Sequence, residues 1–256
     1  MKESDLMPRL KELYLPPADD FVLVDVPEMR YIMIDGHGAA NRTALDHAVK
    51  WLFAAIYPVK RIARQRMGKN FVEPPLEGLW WADDVQDFIR AGARIPSRTA
   101  PEAGARIPSR TRAGSRGMGI PPQRVRDGNL ARAADIARAA NLARAKLSWR
   151  MMIVYEPDWL TADMFADGVC AAKARLGEPP DGLRLESYRE GLSAQILHVG
   201  DPTAEAATIA RLHQEFLPAQ NLIPNGHHHE IYLTDPNRVA PEKMKTVLRQ
   251  PVRRSR

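Results

Sequence analysis

The chain has 256 residues, 45% hydrophobic and 27% charged, which excludes a collagen-like repeat, a coiled coil and a chain disordered throughout. Lys and Arg number 37 against 31 Asp and Glu, giving a net charge of +6 and an isoelectric point of about 9.6, a balance that first suggests a polyanionic partner. No apolar run approaches the roughly 20 residues of a membrane span, and the single cysteine, Cys170, excludes an intrachain disulfide.

The opening residues, MKESDLMPRLKELYLPP, lack the apolar centre of a signal peptide, so the expected compartment is the cytoplasm. FVLVDVPEMRYIMIDGHG (21–38) reads as two short strands broken at Val26-Pro27 and closed by Gly36 and Gly38. Asn41 is a candidate N-cap for a helix. Leu45, Ala48, Leu52, Phe53, Ile56 and Val59 recur at helical spacing until Gly68, with a kink expected at Pro58. The prolines of FVEPPLEGLWW (71–81) favour an edge strand.

The basicity is confined to the next stretch. Residues 91–146 hold eleven Arg and one Lys against Glu102, Asp127 and Asp135, so they carry +9 while the remainder sums to −3. AGARIPSRT at 91–99 returns at 103–111, and Ala-Arg-Ala recurs at 131–133, 137–139 and 143–145. This is a low-complexity insert without aromatic residues. Its first part, 91–128, is too poor in apolar surface to offset chain entropy and reads as disordered; the second part could form a solvated helix.

After the insert, SWRMMIVYEP (148–157) reads as a strand and Thr161–Leu176 as an amphipathic helix capped by Thr161, with Cys170 as a small core residue. Residues 183–200 read as two strands around Glu190-Gly191, Ala204–Leu217 as a helix, and HHHEIYLTD (227–235) as the final strand, leaving 236–256 as a tail. The expected fold is one α+β domain over 1–256. It duplicates a strand-helix-strand-strand module in tandem, residues 20–90 plus 147–157 and then 158–235, around a central ligand cleft. Strand alternation sends Ile231 and Leu233 to the helix-packed face, so His228, Glu230 and Tyr232 face the cleft. By the same rule Leu183 and Leu185 are core, and Arg184, Glu186 and Tyr188 point to the cleft. Trp80, Trp81, Trp149, Tyr155 and Trp159 lie at or near strand ends, the first two beside Glu77. An adjacent Trp pair cannot share one face, so one is core and the other cleft. Of His227, His228 and His229 only the outer two could chelate together, and no further ligand spacing accompanies them; neither a metal nor a cofactor is expected.

PLEGLWW (75–81), WRMMI (149–153), EGLSAQILHVG (190–200) and HHEIYLTDPNRVAPEKMKTVLRQPV (228–252) resemble the stand-alone GyrI-like small-molecule-binding proteins, and within them a subset regarded as cyclopropanoid cyclopropyl hydrolases. The resemblance spans about residues 20–252. It implies a tandem of two modules around a cleft and hydrolytic opening of strained cyclopropanes in aromatic toxins, a detoxification. It also implies catalytic roles for Glu230 or Glu186, which would activate water, and for Tyr232, which would donate to the ligand carbonyl. A ligand wall would comprise Trp80, Trp81, Trp149 and Glu77, with Tyr155, Tyr188 and His228 nearby. The sequence departs from the pattern at Glu73-Pro74, Pro58 and Asp201-Pro202, and in the insert.

The implied partner is an aromatic or lipophilic small molecule. A non-catalytic binder of lipophilic cations would use the same carboxylates and aromatics. An Arg-rich nucleic-acid module is a third, weaker reading, because the insert lacks stacking aromatics and zinc spacing. With about twenty residues ahead of the first strand, no N-terminal helix-turn-helix is expected.

Overall fold

The structure, a computed structural model, describes residues 11–37, 42–72, 74–82, 147–201, 204–235 and 238–255. The Arg-rich stretch 91–146, with the disorder and helix expected there, lies outside them, as do Asn41, Glu73 and Pro202.

Chain order runs β1 (Val22–His37), α1 (Arg42–Met67), β2 (Leu76–Ala82), β3 (Leu147–Val154), α2 (Ala162–Leu176) and β4 (Arg184–Val199). A second helical stretch follows: α3 (Glu205–Arg211), a π-helical turn (Leu212–Phe216) and α4 (Leu217–Ala219). It leads into β5 (Leu222–Pro224), β6 (His228–Tyr232) and β7 (Lys245–Arg254). All strand pairings are antiparallel, in the order β4-β1-β3-β2-β6-β7-β5, and β4 also pairs with β7, which closes the sheet on itself. This is a mixed α+β fold. Six strands enclose too little space for a helix, so the helices pack outside the ring and the opposite face lines its interior.

Closure corrects several sequence expectations. Val26-Pro27 does not break β1: before Tyr31 this strand pairs only with β4 among the described strands, and there a missing N–H is tolerated. Glu190-Gly191 does not divide β4. Gly191 takes φ 74, a conformation side chains resist, close to where β4 passes from β1 to β7. β2 is central, between β3 and β6, because Pro74 and Pro75 stop short of it. The expected tail 236–256 contains β7, whose residues Thr246 to Val252 are buried and which completes the ring.

Trp51, Leu52, Ala55, Ile56, Val59 and Ala63 form the buried stripe of α1, which continues through Pro58. The helix stops at Gly68, φ 64, whose N–H donates to Arg64 C=O at 3.1 Å while Lys69 N–H reaches Ala63 C=O at 3.3 Å. In α2, Thr161 Oγ1 accepts the Met164 N–H at 3.2 Å and caps the helix. Cys170 is exposed rather than core: the side of α2 that meets α1 carries Gly168 and Ala172. Both helices cover Ile32, Ile34, Leu76, Trp80, Trp149, Met151 and Ile153. The α3–α4 stretch covers a smaller core of Ala194, Ile196, Leu248 and Val252.

The α1–α2 contact depends on Gly168, where an added Cβ would lie 2.4 Å from the Ala55 carbonyl oxygen. Gly168→Ala is expected to lower stability by about 1–3 kcal/mol, read as a reduced urea midpoint at unchanged slope. An unshifted midpoint would mean that the helices separate freely. Among the described residues no helix is long and apolar enough to cross a membrane.

Candidate functional site

Register assigns the expected site residues to two opposite faces. Glu77 pairs with Ile231, Leu79 with His229, and His229 with Arg249, so these side chains share the ring interior with Trp81, Tyr31, Met33 and Met152. Gly78 pairs with Glu230 and Trp80 with His228, on the face covered by the helices. The expectation for β6 is therefore inverted: Glu230, Tyr232 and His228 face the helices, and Ile231 faces inward. Alternation revealed two faces but not which one the helices cover, because closure buries both.

Inside the ring is a chain of buried charges. His229 Nδ1 lies 3.0 Å from Glu190 Oε1, and the Arg249 guanidinium donates to Glu190 Oε2 at 3.0 Å and to Gln195 Oε1 at 2.9 Å. Its remaining arm donates to the Leu13 carbonyl, and Gln195 Nε2 donates to the Glu12 carbonyl at 2.7 Å, which ties down the N-terminal segment. From that segment Tyr14 Oη donates to Glu77 Oε1 at 2.7 Å. One contact is incomplete. His229 Nε2 and Glu77 Oε2 are 3.0 Å apart and both buried, yet the contact falls short of full hydrogen-bond geometry and neither atom has another partner.

Electrostatics set the protonation. Burial alone pushes the His229 imidazole down, but the charge and hydrogen bond of Glu190, reinforced by Glu77, outweigh it and raise the group to about 9. Burial pushes Glu190 up, and the charges of His229 and Arg249 override it, bringing the carboxyl to about 2. Tyr14 and Tyr31 rise well above 10 through burial and then the Glu77 charge, so both stay protonated. His229 is thus a charged donor held beside a carboxylate oxygen.

The walls are apolar and aromatic. Tyr31 meets Tyr188 edge-on at 6.4 Å between centroids, and Trp81 stacks on His227 at 4.2 Å. Trp81, Tyr188 and Tyr14 are half-buried, whereas Trp80 and Trp149 are 3% and 2% exposed. Near the Trp81 end, Arg150 grips Asp35 with two hydrogen bonds of 2.6 and 3.0 Å, and Arg184 bridges Asp35 and Glu186.

Of the expected site residues, Glu77, Trp81 and Tyr188 therefore meet in the interior. Glu186 is exposed and engaged by Arg184, and it does not join Glu230. Trp149 and Tyr155 belong to the α1–α2 core, where the Tyr155 hydroxyl donates to the Thr161 carbonyl at 2.9 Å. Of the Trp pair, Trp80 is core and Trp81 interior. Sequence reasoning missed His229, Glu190, Arg249 and Tyr14 as site residues. They come from β6, β4, β7 and the N-terminal segment, and only strand alternation across the whole ring could have grouped them.

A model of the GyrI-like small molecule binding domain matches residues 107–253, more than half of the chain and beginning inside the Arg-rich stretch. Among solved structures the chain is similar to an uncharacterized conserved protein from Listeria innocua, at 26% identity and TM-score 0.66, covering 97% of this chain and 98% of that one. It is also similar to a hydrolase from Listeria innocua, at 25% identity and TM-score 0.62 with the same coverage. The comparison with curated proteins gave no match. With the family model spanning the charged strands of the ring interior from β3 to β7, the chain belongs to the GyrI-like small molecule binding domain family.

Proposed function

We propose that the ring interior binds an aromatic, lipophilic small molecule between Trp81 and Tyr188 and hydrolyses it, with Glu77 and His229 as the reacting pair. The observation that carries this is the incomplete 3.0 Å contact between His229 Nε2 and Glu77 Oε2, an unspent acid and an unspent base side by side under half-open aromatic walls. Burial makes an unaligned pair of this kind costly, and a ligand oxygen and a water would complete both bonds. Similarity to a Listeria hydrolase over nearly the full length of both chains supports turnover over storage.

For a cyclopropane conjugated to an aromatic ketone, the water oxygen forms a bond to the ring methylene. The strained C–C bond breaks with its electron pair passing to the ketone. The ketone oxygen takes the Nε2 proton of His229, and the water proton passes to Glu77 Oε2, from which His229 is restored. Arg249 and Glu190 orient the imidazole through Nδ1. The roles foreseen for Glu230 and Tyr232 pass to residues of the interior, because those two lie on the helix-packed face.

Glu77→Gln keeps the shape and removes the base. With a spirocyclopropyl dienone as probe, turnover followed by chromatography is expected to fall about 10²–10⁴-fold. Saturable quenching of tryptophan fluorescence should persist. Undiminished turnover in the variant overturns the assignment. Saturable binding without product in the native chain replaces hydrolysis with sequestration.

A further inference from the structure

The segment ahead of β1 has no part in the proposed reaction, yet it packs into the ring interior. Leu15 N–H donates to Lys11 C=O at 2.8 Å, forming one helical turn, and Leu13 on that turn is 2% exposed, clustered with Val26, Met29, Met33 and Leu79. Three polar ties hold the segment. Buried side chains take two successive carbonyls, Gln195 Nε2 that of Glu12 at 2.7 Å and Arg249 that of Leu13, and Leu197 N–H donates to Pro17 C=O at 2.9 Å. Between these anchors Tyr14 directs its hydroxyl inward and donates to Glu77 Oε1 at 2.7 Å.

The two oxygens of Glu77 are therefore in unlike situations: Oε1 is held by Tyr14, while Oε2 lies 3.0 Å from His229 Nε2 in the incomplete contact. The last torsion of a glutamate is broad and nearly two-fold, so an unrestrained carboxylate swings about it and exchanges its oxygens. A donor on one oxygen fixes the plane. Such a bond also favours the ionised carboxylate, the form that accepts a proton from water. Tyr14 remains a donor throughout, because burial and then the Glu77 charge raise its phenol well above 10. His229 on β6, Arg249 on β7 and Tyr31 on β1 also feel the Glu77 charge, but Arg249 gives its hydrogen bonds to Glu190, Gln195 and Leu13.

We infer that Tyr14 is a positioning residue for the hydrolysis proposed above, on which its role rests: its hydroxyl holds Glu77 Oε1 so that Oε2 is presented to the attacking water. The segment 11–17 is then a working part of the site. Without the Tyr14 hydroxyl the carboxylate spends part of its time turned away from the water, and it takes up a proton at higher pH.

Turnover of the spirocyclopropyl dienone probe by the full chain between about pH 4.5 and 8, corrected for the uncatalysed rate, tests this role. Tyr14→Phe keeps the ring and removes only the donor. Its kcat at the optimum is expected to fall about 10- to 100-fold while KM changes less than about threefold. The acid-side midpoint of its kcat profile is expected to move up by about one pH unit, whereas a merely structural role would scale turnover equally at every pH. Added to Glu77→Gln, Tyr14→Phe should lower kcat less than about twofold, because the group it acts through is gone. Replacing Tyr14 by 3-fluorotyrosine, a stronger donor of nearly the same shape, should move the midpoint down, and it carries the test if Tyr14→Phe does not fold. An unmoved midpoint in either variant, or a further large loss on top of Glu77→Gln, overturns the inference and leaves the hydrolysis standing. No product from the native chain, or full turnover by Glu77→Gln, overturns the hydrolysis and the role of Tyr14 together.

Discussion

Replacing Arg249 with Leu is expected to cost about 3–5 kcal/mol of folding stability. The guanidinium is 1% exposed and neutralises Glu190, which is equally removed from water. It also satisfies Gln195 Oε1 and the Leu13 carbonyl. Truncation leaves one carboxylate with only His229 and two acceptors with nothing, in a place water does not reach. A domain typically retains about 5–15 kcal/mol in total, so the variant should express poorly or melt far below the native chain. Adding Glu190→Gln is expected to recover part of the loss, because the orphaned charge disappears with it. Urea titrations of the two single variants and the double variant measure this. A loss below about 1 kcal/mol for Arg249→Leu would show that Glu190 is neutralised by other means.

The charged pair of the ring interior, Glu190 and His229, is also expected to contribute most to stability between about pH 4.5 and 6.5, with its contribution declining on both sides. His229 is raised from 6.5 to about 9, so its contribution is complete below pH 6.5 and is lost as pH climbs to 9. Glu190 is lowered from 4.5 to about 2, so its contribution is present above pH 4.5 and is lost as pH falls toward 2. Each arm amounts to a few kcal/mol, because a tenfold change in proton affinity on folding is worth about 1.4 kcal/mol. Glu205 and Glu230, both raised above 4.5, also lose stability as pH rises, so the alkaline arm is best measured in the Glu205→Gln/Glu230→Gln double variant, where both are silenced. In that background, further replacement of His229 by Gln should flatten the decline between pH 6.5 and 9. A persistent decline, or none in the double-glutamine background alone, contradicts the charge assigned to His229.

Local signals in the chain were reliable where the cause is local. Leu52, Ile56 and Val59 recur at helical spacing because one side of α1 must be dry, and Thr161 caps α2 because its hydroxyl reaches the Met164 N–H. Punctuation was less reliable. Pro27 and Gly191 look like breaks in β1 and β4, yet pairing with neighbouring strands carries both segments through. The 245–254 strand follows a run read as a tail, and its burial depends on partners in β4 and β6.

The candidate site divides the same way. Alternation assigned Tyr188 to the cleft face and one of Trp80 and Trp81 without deciding which, the family resemblance added Glu77, and residue counts located the basicity in 91–146 rather than in the remainder of the chain. They could not determine which face of β6 the helices cover, because period-two alternation is unchanged when the sheet is turned over. They also could not bring His229 and Arg249 to Glu190, 39 and 59 residues away. That required closure of the ring through β4 and β7, which removes a second face from water and forces the charges stranded there to pair with one another.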